Sequence, residues 1–190
     1  MSVKSILIVG VGGQGTLLSS RLLGNAMLSQ GYDVKISEVH GMSQRGGSVV
    51  TYVRYGDRVS SPIIEKGEAD MILSFEQLEA ARYLPYLKKG GTVVTNTQKT
   101  DPMPVVTGAE EYPENLIKKI KDAGVNIIAF DALEVAEKAG SIKAVNVALI
   151  GRLAKIMDLP YEVWTDTIKS TVPEKFVDLN LKAFDLSYNL

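Results

Sequence analysis

The sequence predicts an α/β fold, a three-layer Rossmann-like domain with a mostly parallel, mixed sheet and a helical C-terminal part. Three observations carry this expectation. Short apolar runs closed by glycine or turn residues have the look of strands buried on both faces. They alternate with segments of helical period, the order of a layered α/β domain. After Val145 nearly every segment is helical in pattern, enough to cover one face or reach a partner.

The first run, Ser5–Val9, ends at Gly10. From Gly13 the period changes. Leu18, Leu22 and Ala26 fall on one helical face, Leu17, Leu23 and Met27 on the adjoining one, and Gly31 is the expected stop. Val34–Val39 is a second strand and the nearly alternating Val49–Tyr55 a third, closed by a turn at Gly56-Asp57. No clear crossover helix spans residues 47–74, which predicts an antiparallel member in the sheet. After a short strand at Met71–Leu73, Ser74-Phe75-Glu76-Gln77 reads as a capping box, with Ser74 as N-cap and Gln77 reaching back. Thr92–Thr95 is a strand entered through Gly90-Gly91. Residues 97–113 carry Pro102, Pro104 and Pro113 and read as an irregular connection around a short strand. Pro113 suits the start of a helix that Gly124 ends. Asn126–Phe130 is another buried strand. Asp131-Ala132-Leu133-Glu134 forms a second capping box, and Gly140 closes its helix. Val145, Ala148, Leu149, Leu153 and Ile156 make an apolar stripe, followed by helical patterns at 161–170 and roughly 174–186. Trp164, Tyr161 and Phe176 are expected to pack these last helices or an interface. Lys118, Lys119 and Lys121 are expected on a solvated face, and Asn146 as a cap. No repeat or linker interrupts the chain, so residues 1–190 are expected to form a single domain.

Composition removes whole chemistries. There is no cysteine, hence no disulfide, thiol nucleophile, thiolate zinc site or cysteine-ligated iron–sulfur cluster on this chain. One histidine, His40, rules out a multi-histidine metal site, and no Gly-x-Ser-x-Gly elbow accompanies it. A net charge of −1 gives no basic field for nucleic acid. Neither a signal-peptide pattern nor an apolar run long enough for a membrane span is visible, so the expectation is a cytoplasmic protein.

Two glycine-rich segments stand out. Gly10-Val11-Gly12-Gly13-Gln14-Gly15-Thr16 follows a strand and opens a helix, the setting in which backbone N–H groups hold a phosphate or dinucleotide. The same segment equally suits a tight turn that binds nothing. Glu38-Val39-His40-Gly41-Met42-Ser43-Gln44-Arg45-Gly46-Gly47-Ser48 joins two strands one βαβ step later. Its glycines permit close approach of a ligand or neighbouring chain. Arg45 offers a planar fork for carboxylate or phosphate, though a solvated role fits as well. His40 is a hydrogen-bonding, proton-shuttling or partner-contact residue rather than a metal ligand. Glu38 ends the second strand, where an acidic residue completes an NAD pattern, yet the loop it opens crowds an adenosine pocket. Both segments are expected to face one crevice.

At these residues the sequence resembles the gamma-type domain of the 2-oxoacid:ferredoxin oxidoreductases, the second motif being nearest the indolepyruvate-oxidising branch. The likeness extends through Glu76–Arg82, Gly90-Gly91-Thr92-Val93-Val94, Asp131 with its helix, and Asn146–Ala154, in the expected order. The resemblance implies a small, cofactor-free subunit whose large alpha partner carries thiamine diphosphate with magnesium and iron–sulfur clusters. The assembled enzyme would decarboxylate an arylpyruvate oxidatively, reduce ferredoxin, and form an aryl-acetyl-CoA. By that analogy Gly10, Gly12, Gly13, Gln14, Gly15 and Thr16 meet the anionic part of CoA, while Glu38, His40, Gly41, Ser43, Gln44, Arg45, Gly46 and Gly47 approach the partner and substrate channel. Two other classes stay open on the residues alone. One is a stand-alone nucleotide-binding enzyme using ATP or NAD, whose further arginine, lysine and aspartate partners are not evident. The other is a ligand-sensing or assembly module without turnover.

Overall fold

The computed structural model describes residues 2–38 and 46–190. Six strands form one sheet: β1 (Lys4–Val11), β2 (Asp33–Glu38), β3 (Ser48–Gly56), β4 (Ala69–Ser74), β5 (Leu87–Asn96) and β6 (Asn126–Phe130), in the spatial order β2-β3-β1-β4-β5-β6. β1, β4, β5 and β6 pair in parallel, and β3 runs antiparallel to both β1 and β2. The mixed sheet and its antiparallel member are as the sequence predicts.

The helices are α1 (Thr16–Ser29), α2 (Gln77–Tyr83), α3 (Met103–Val106), α4 (Leu116–Asp122), α5 (Ala132–Ala139), α6 (Val145–Ala154), α7 (Tyr161–Thr171) and α8 (Val177–Tyr188). Alternate residues of β1 enter opposite layers. Ile6 and Ile8 pack with residues of α1 and α5–α8, whereas Leu7 and Val9 pack with Ile64, Ala80 of α2 and Ile120 of α4. Covering both faces is why this strand reads as a continuous apolar run. Burying one such side chain contributes roughly 1.5–3 kcal/mol, so the central strands carry much of the stability. In the helical layer Trp164 and Phe184 are fully buried, Tyr161 packs against Phe184 and Tyr188, and Phe176 is 42% exposed. Lys118, Lys119 and Lys121 lie on an exposed face as expected. Among the described residues no helix is long and apolar enough to cross a membrane.

Several local expectations are corrected. β5 begins at Leu87 and passes through Gly90-Gly91 instead of starting after them. A Cβ on Gly91 would stand 2.9 Å from the Asp70 carbonyl, so the glycine serves close strand packing. Residues 97–113 contain the short helix α3, not a strand. α4 starts at Leu116, after Asn115 in the left-handed conformation, rather than at Pro113. Asp131 does cap α5, accepting the Glu134 N–H at 2.9 Å, and Gly140 closes that helix with φ 119°. Asn146 lies in the first turn of α6, where its Oδ1 accepts the Val147 N–H at 2.9 Å.

At the end of the sheet where β1 begins, the buried Asp70 carboxylate accepts the Ser5 N–H at 2.9 Å and pairs with Lys88 and, at 3.4 Å, with Lys4. Burial pushes its pKa up, but the Lys88 hydrogen bond, the Ser5 N–H and the two lysine charges outweigh this and hold it below the usual value. A carboxylate with a depressed pKa stabilises the fold above its unfolded pKa and loses that contribution as pH falls through the folded one. Asp70→Asn should therefore lower stability near neutrality by roughly 1–3 kcal/mol. The deficit should shrink as pH is taken below about 4. Urea unfolding across a pH series measures this, and a deficit unchanged in acid would contradict it.

Candidate functional site

β1 delivers the chain into the first glycine turn, and each position there has a separate reason. A Cβ on Gly10 would stand 2.9 Å from Phe75 Cβ, because the residue following β4 lies directly over it. Gln14 folds back so that its Oε1 accepts the Val11 N–H at 2.7 Å, while its own N–H donates to the Val11 carbonyl at 3.2 Å. Gly13 and Gly15 hold φ of 99° and 88°, backbone that favours glycine. Gly15 is the N-cap of α1, leaving the first N–H groups of that helix without intrahelical acceptors.

The second glycine segment meets the first through the backbone. The Gly12 N–H donates to the Gly47 carbonyl at 2.9 Å, one residue before β3 pairs Ser48 with Val11. Glu38 ends β2 opposite Thr51, and its carboxylate accepts a hydrogen bond from the buried Ser20 hydroxyl at 2.8 Å. Together Gly12, Gly13, Gly15, Thr16, Leu17, Glu38, Val49, Val50 and Thr51 line a cleft of about 280 Å³. Of the sequence-predicted site residues, Gly12, Gly13, Gly15, Thr16 and Glu38 are thus brought together, with Gly46 and Gly47 at the adjoining end of β3. Gly10 and Gln14 do not line this cleft. Gln14 instead borders a smaller one of about 200 Å³ with Phe75, Gln98, Leu133, Ile142 and Val145. His40, Gly41, Ser43, Gln44 and Arg45 lie outside the described residues. Leu17 and Val49–Thr51 were missed by sequence reasoning. Their apolar periodicity marks them as helix and strand, and only strand order turns them toward the glycine turn.

Two buried carboxylates on the short helix α2 tie down neighbouring loops. Glu76, 1% exposed, is the N-cap: its Oε2 accepts the Leu78 and Glu79 N–H groups at 2.7 and 2.9 Å. Its Oε1 accepts the Thr100 N–H at 3.2 Å and the Tyr112 hydroxyl. Burial, then the hydrogen bond and charge of Glu76, push the Tyr112 phenol well above its ordinary pKa. The sequence predicts Ser74 in the capping role. β4 instead continues through Ser74, whose hydroxyl donates to the Glu76 carbonyl at 2.6 Å. Gln77 donates to the Thr97 carbonyl at 2.9 Å and does not reach back. Glu79, 3% exposed, accepts from the Ser48 hydroxyl and from Arg82 Nε at 3.0 Å.

The cleft is lined by a helix N-terminus, two threonines and a glutamate. The N-terminal dipole and left-handed glycines favour a close anion. Glu38 on the other wall favours a hydroxyl and disfavours negative charge. Such a set suits a ligand anionic at one end and hydroxylated at the other. No paired nucleophile and base line the cleft among the described residues.

Residues 5–190 match the family model described as pyruvate ferredoxin/flavodoxin oxidoreductase. The chain is 48% identical to the indolepyruvate oxidoreductase subunit IorB of Pyrococcus horikoshii, covering 98% of this chain and 95% of that one. It is 42% identical to the like-named subunit of Archaeoglobus fulgidus, covering 97% and 94%. Among solved structures it superposes on the pyruvate oxidoreductase subunit PORC of Thermotoga maritima with a TM-score of 0.75 at 21% identity, covering 100% and 97%. The last similarity concerns the fold alone.

Glu76→Ala removes both the cap of α2 and the partner of a buried phenol. The expected cost is about 2 kcal/mol or more, from a lost N-cap together with a desolvated donor left unpaired. Denaturant unfolding should show that loss, and limited proteolysis should cut faster within residues 97–112. Wild-type stability and an unchanged cleavage pattern would count against the clamp.

Proposed function

The chain belongs to the pyruvate ferredoxin/flavodoxin oxidoreductase family, and we propose that within it this chain is the small γ-type subunit of an indolepyruvate:ferredoxin oxidoreductase. Residues 1–190 form one γ-type domain in this reading. The assembled enzyme takes an arylpyruvate and CoA, releases CO₂, passes two electrons to ferredoxin and yields an aryl-acetyl-CoA. The observation that carries the reading is near-half identity sustained along almost the whole length of both this chain and a subunit of that name.

The redox groups are assigned to the large partner by the family resemblance, a reading that the composition of this chain supports. With no cysteine and one histidine, this chain has no ligand set for an iron–sulfur cluster. Thiamine diphosphate with magnesium, and the clusters, supply decarboxylation and electron transfer when bound to that partner. This chain contributes binding surface. The Gly12–Thr16 turn at the start of α1 receives the anionic part of CoA through the N–H groups of Gly13, Gly15 and Thr16, those of Gly12 and Gln14 being used within the fold, and Glu38 holds a hydroxyl of the same ligand. The stretch from Glu38 to Gly47, with His40, Gly41, Ser43, Gln44 and Arg45, faces the partner and the substrate channel. The setting is soluble and cytoplasmic.

The deciding experiment is turnover of indolepyruvate with CoA and a low-potential electron acceptor, using this chain alone and mixed with the large subunit. Turnover only in the mixture is expected. ATP or NAD binding by the isolated chain, with a cofactor-loaded mixture inactive, would replace this reading with the stand-alone nucleotide-binding one. Gly12→Val adds bulk at a cleft-lining position and should raise KM for CoA about tenfold or more, the equivalent of roughly 1.4 kcal/mol. Arg45→Ala should lower turnover or assembly of the complex roughly tenfold, the scale of one lost charged hydrogen bond. The isolated variant should keep its circular dichroism and melting temperature. Full activity of the reconstituted Arg45→Ala complex would sink that role.

A further inference from the structure

We propose that Glu79 is a positioning residue for the ligand cleft, acting through Ser48 on the backbone bond between Gly47 and Gly12. The proposal rests on the reading of that cleft as the CoA site. Glu79 is not among the cleft-lining residues, yet it is buried on a helix of seven residues. Burying a carboxylate is costly unless its oxygens are satisfied, and the two oxygens here are divided between different tasks. Oε1 accepts from Arg82 Nε at 3.0 Å, which orients the carboxylate. Oε2 accepts from the Ser48 hydroxyl, with the Tyr83 hydroxyl 3.4 Å from the same oxygen of Ser48.

Ser48 is where the glycine-rich segment becomes a strand. Gly46 holds φ 88° in open space, with nothing within 4 Å of where its Cβ would stand. Neither Gly46 nor Gly47 has a side chain to pack, so Ser48 is the first side chain able to anchor this re-entry. Its partner in the sheet is Val11, and the carbonyl just before it accepts the Gly12 N–H. The connection therefore runs Arg82, Glu79, Ser48, Gly47, Gly12, and it ends on the wall of the cleft. Releasing Ser48 loosens the Gly47 carbonyl and, with it, the placement of Gly12. Ligand binding should suffer while the chemistry on the partner subunit is spared.

The test uses the assembled complex carrying Ser48→Ala, Ser48→Thr or Glu79→Gln, with Gly12→Val for reference. Three readouts are taken: the CoA dissociation constant by calorimetry without 2-oxoacid, amide hydrogen exchange across Gly10–Leu17, and the separate steady-state constants. Ser48→Ala is expected to weaken CoA binding about tenfold, the effect of roughly one charge-assisted hydrogen bond. KM for CoA should rise alike, kcat and KM for the 2-oxoacid should stay within about twofold, and the Gly12 amide should exchange faster. Ser48→Thr keeps the hydroxyl and should restore every value, whereas Glu79→Gln should behave like Ser48→Ala. If Glu79→Gln does not fold, the Ser48 pair decides alone. Wild-type CoA binding by Ser48→Ala alongside weakened binding by Gly12→Val overturns the proposal and leaves the cleft reading intact. Wild-type binding by both overturns the cleft reading and this proposal with it. A uniform loss across kcat and both KM values, or no rescue by threonine, also overturns it, because either would mark a merely structural hydroxyl.

Discussion

β1 is flanked by an antiparallel strand on one side and a parallel one on the other, and the functional end of the molecule is arranged around that asymmetry. In a purely parallel sheet, the entry of the next strand would lie at the far end from the exit of β1. Because β3 runs the other way, its first residue stands beside the last residue of β1, Ser48 against Val11. The exit of β2 arrives at the same end, with Glu38 opposite Thr51. Two glycine segments distant in sequence are thus delivered to one edge, where the backbone bond from Gly12 to Gly47 and the pairing of Val11 with Ser48 join them. The cleft is a consequence of strand direction before it is a consequence of any side chain.

A helix as short as α2 is not stable by itself in water. Here Ala80 is buried against the β1 and β4 side chains on one layer of the sheet, and Glu76 satisfies the Leu78 and Glu79 amides. Glu76 is satisfied by Leu78, Glu79, Thr100 and Tyr112, and Glu79 by Ser48 and Arg82, which is what a buried carboxylate requires. Their partners lie on different segments of the chain. Glu76 reaches Thr100 and Tyr112 on the β5 side, and Glu79 reaches Ser48 on the β3 side. The helix spans the two loops that rise at this edge of the sheet.

Much of this was legible in the sequence, for identifiable reasons. β1 is readable because a strand covered on both faces is continuously apolar, whereas β6, expected to be buried, is an edge strand with no fully buried residue, and the antiparallel member shows as a missing crossover between residues 47 and 74. The Asp131 cap shows because its box is wholly local. Ser74 was misread as a cap since β4 is extended by pairing with Val9 and Thr95, which no local pattern contains. The glycines of the site and Glu38 announce themselves by residue type and by position at strand ends. Leu17, Val49, Thr51 and Glu79 do not, because their roles arise from strand order and from which helix face meets which loop. Gly10 and Gln14 share the motif but serve the turn itself, one by fitting beneath Phe75 and the other by closing on Val11.

The spacing of the two glutamates on α2 constrains how this chain can vary over evolutionary time. Loops at the sheet edge tolerate changes in length at small entropic cost, since closure entropy grows only slowly with added residues. α2 has no such freedom. Inserting one residue between Glu76 and Glu79 would rotate the second carboxylate by about 100°, the angular step of an α-helix, and swing it away from Ser48. Relatives sharing this architecture should therefore lengthen or shorten the segments around residues 57–68 and 101–114 far more readily than the three-residue step from Glu76 to Glu79. The helix behaves as a ruler, and insertions and deletions should be filtered against it.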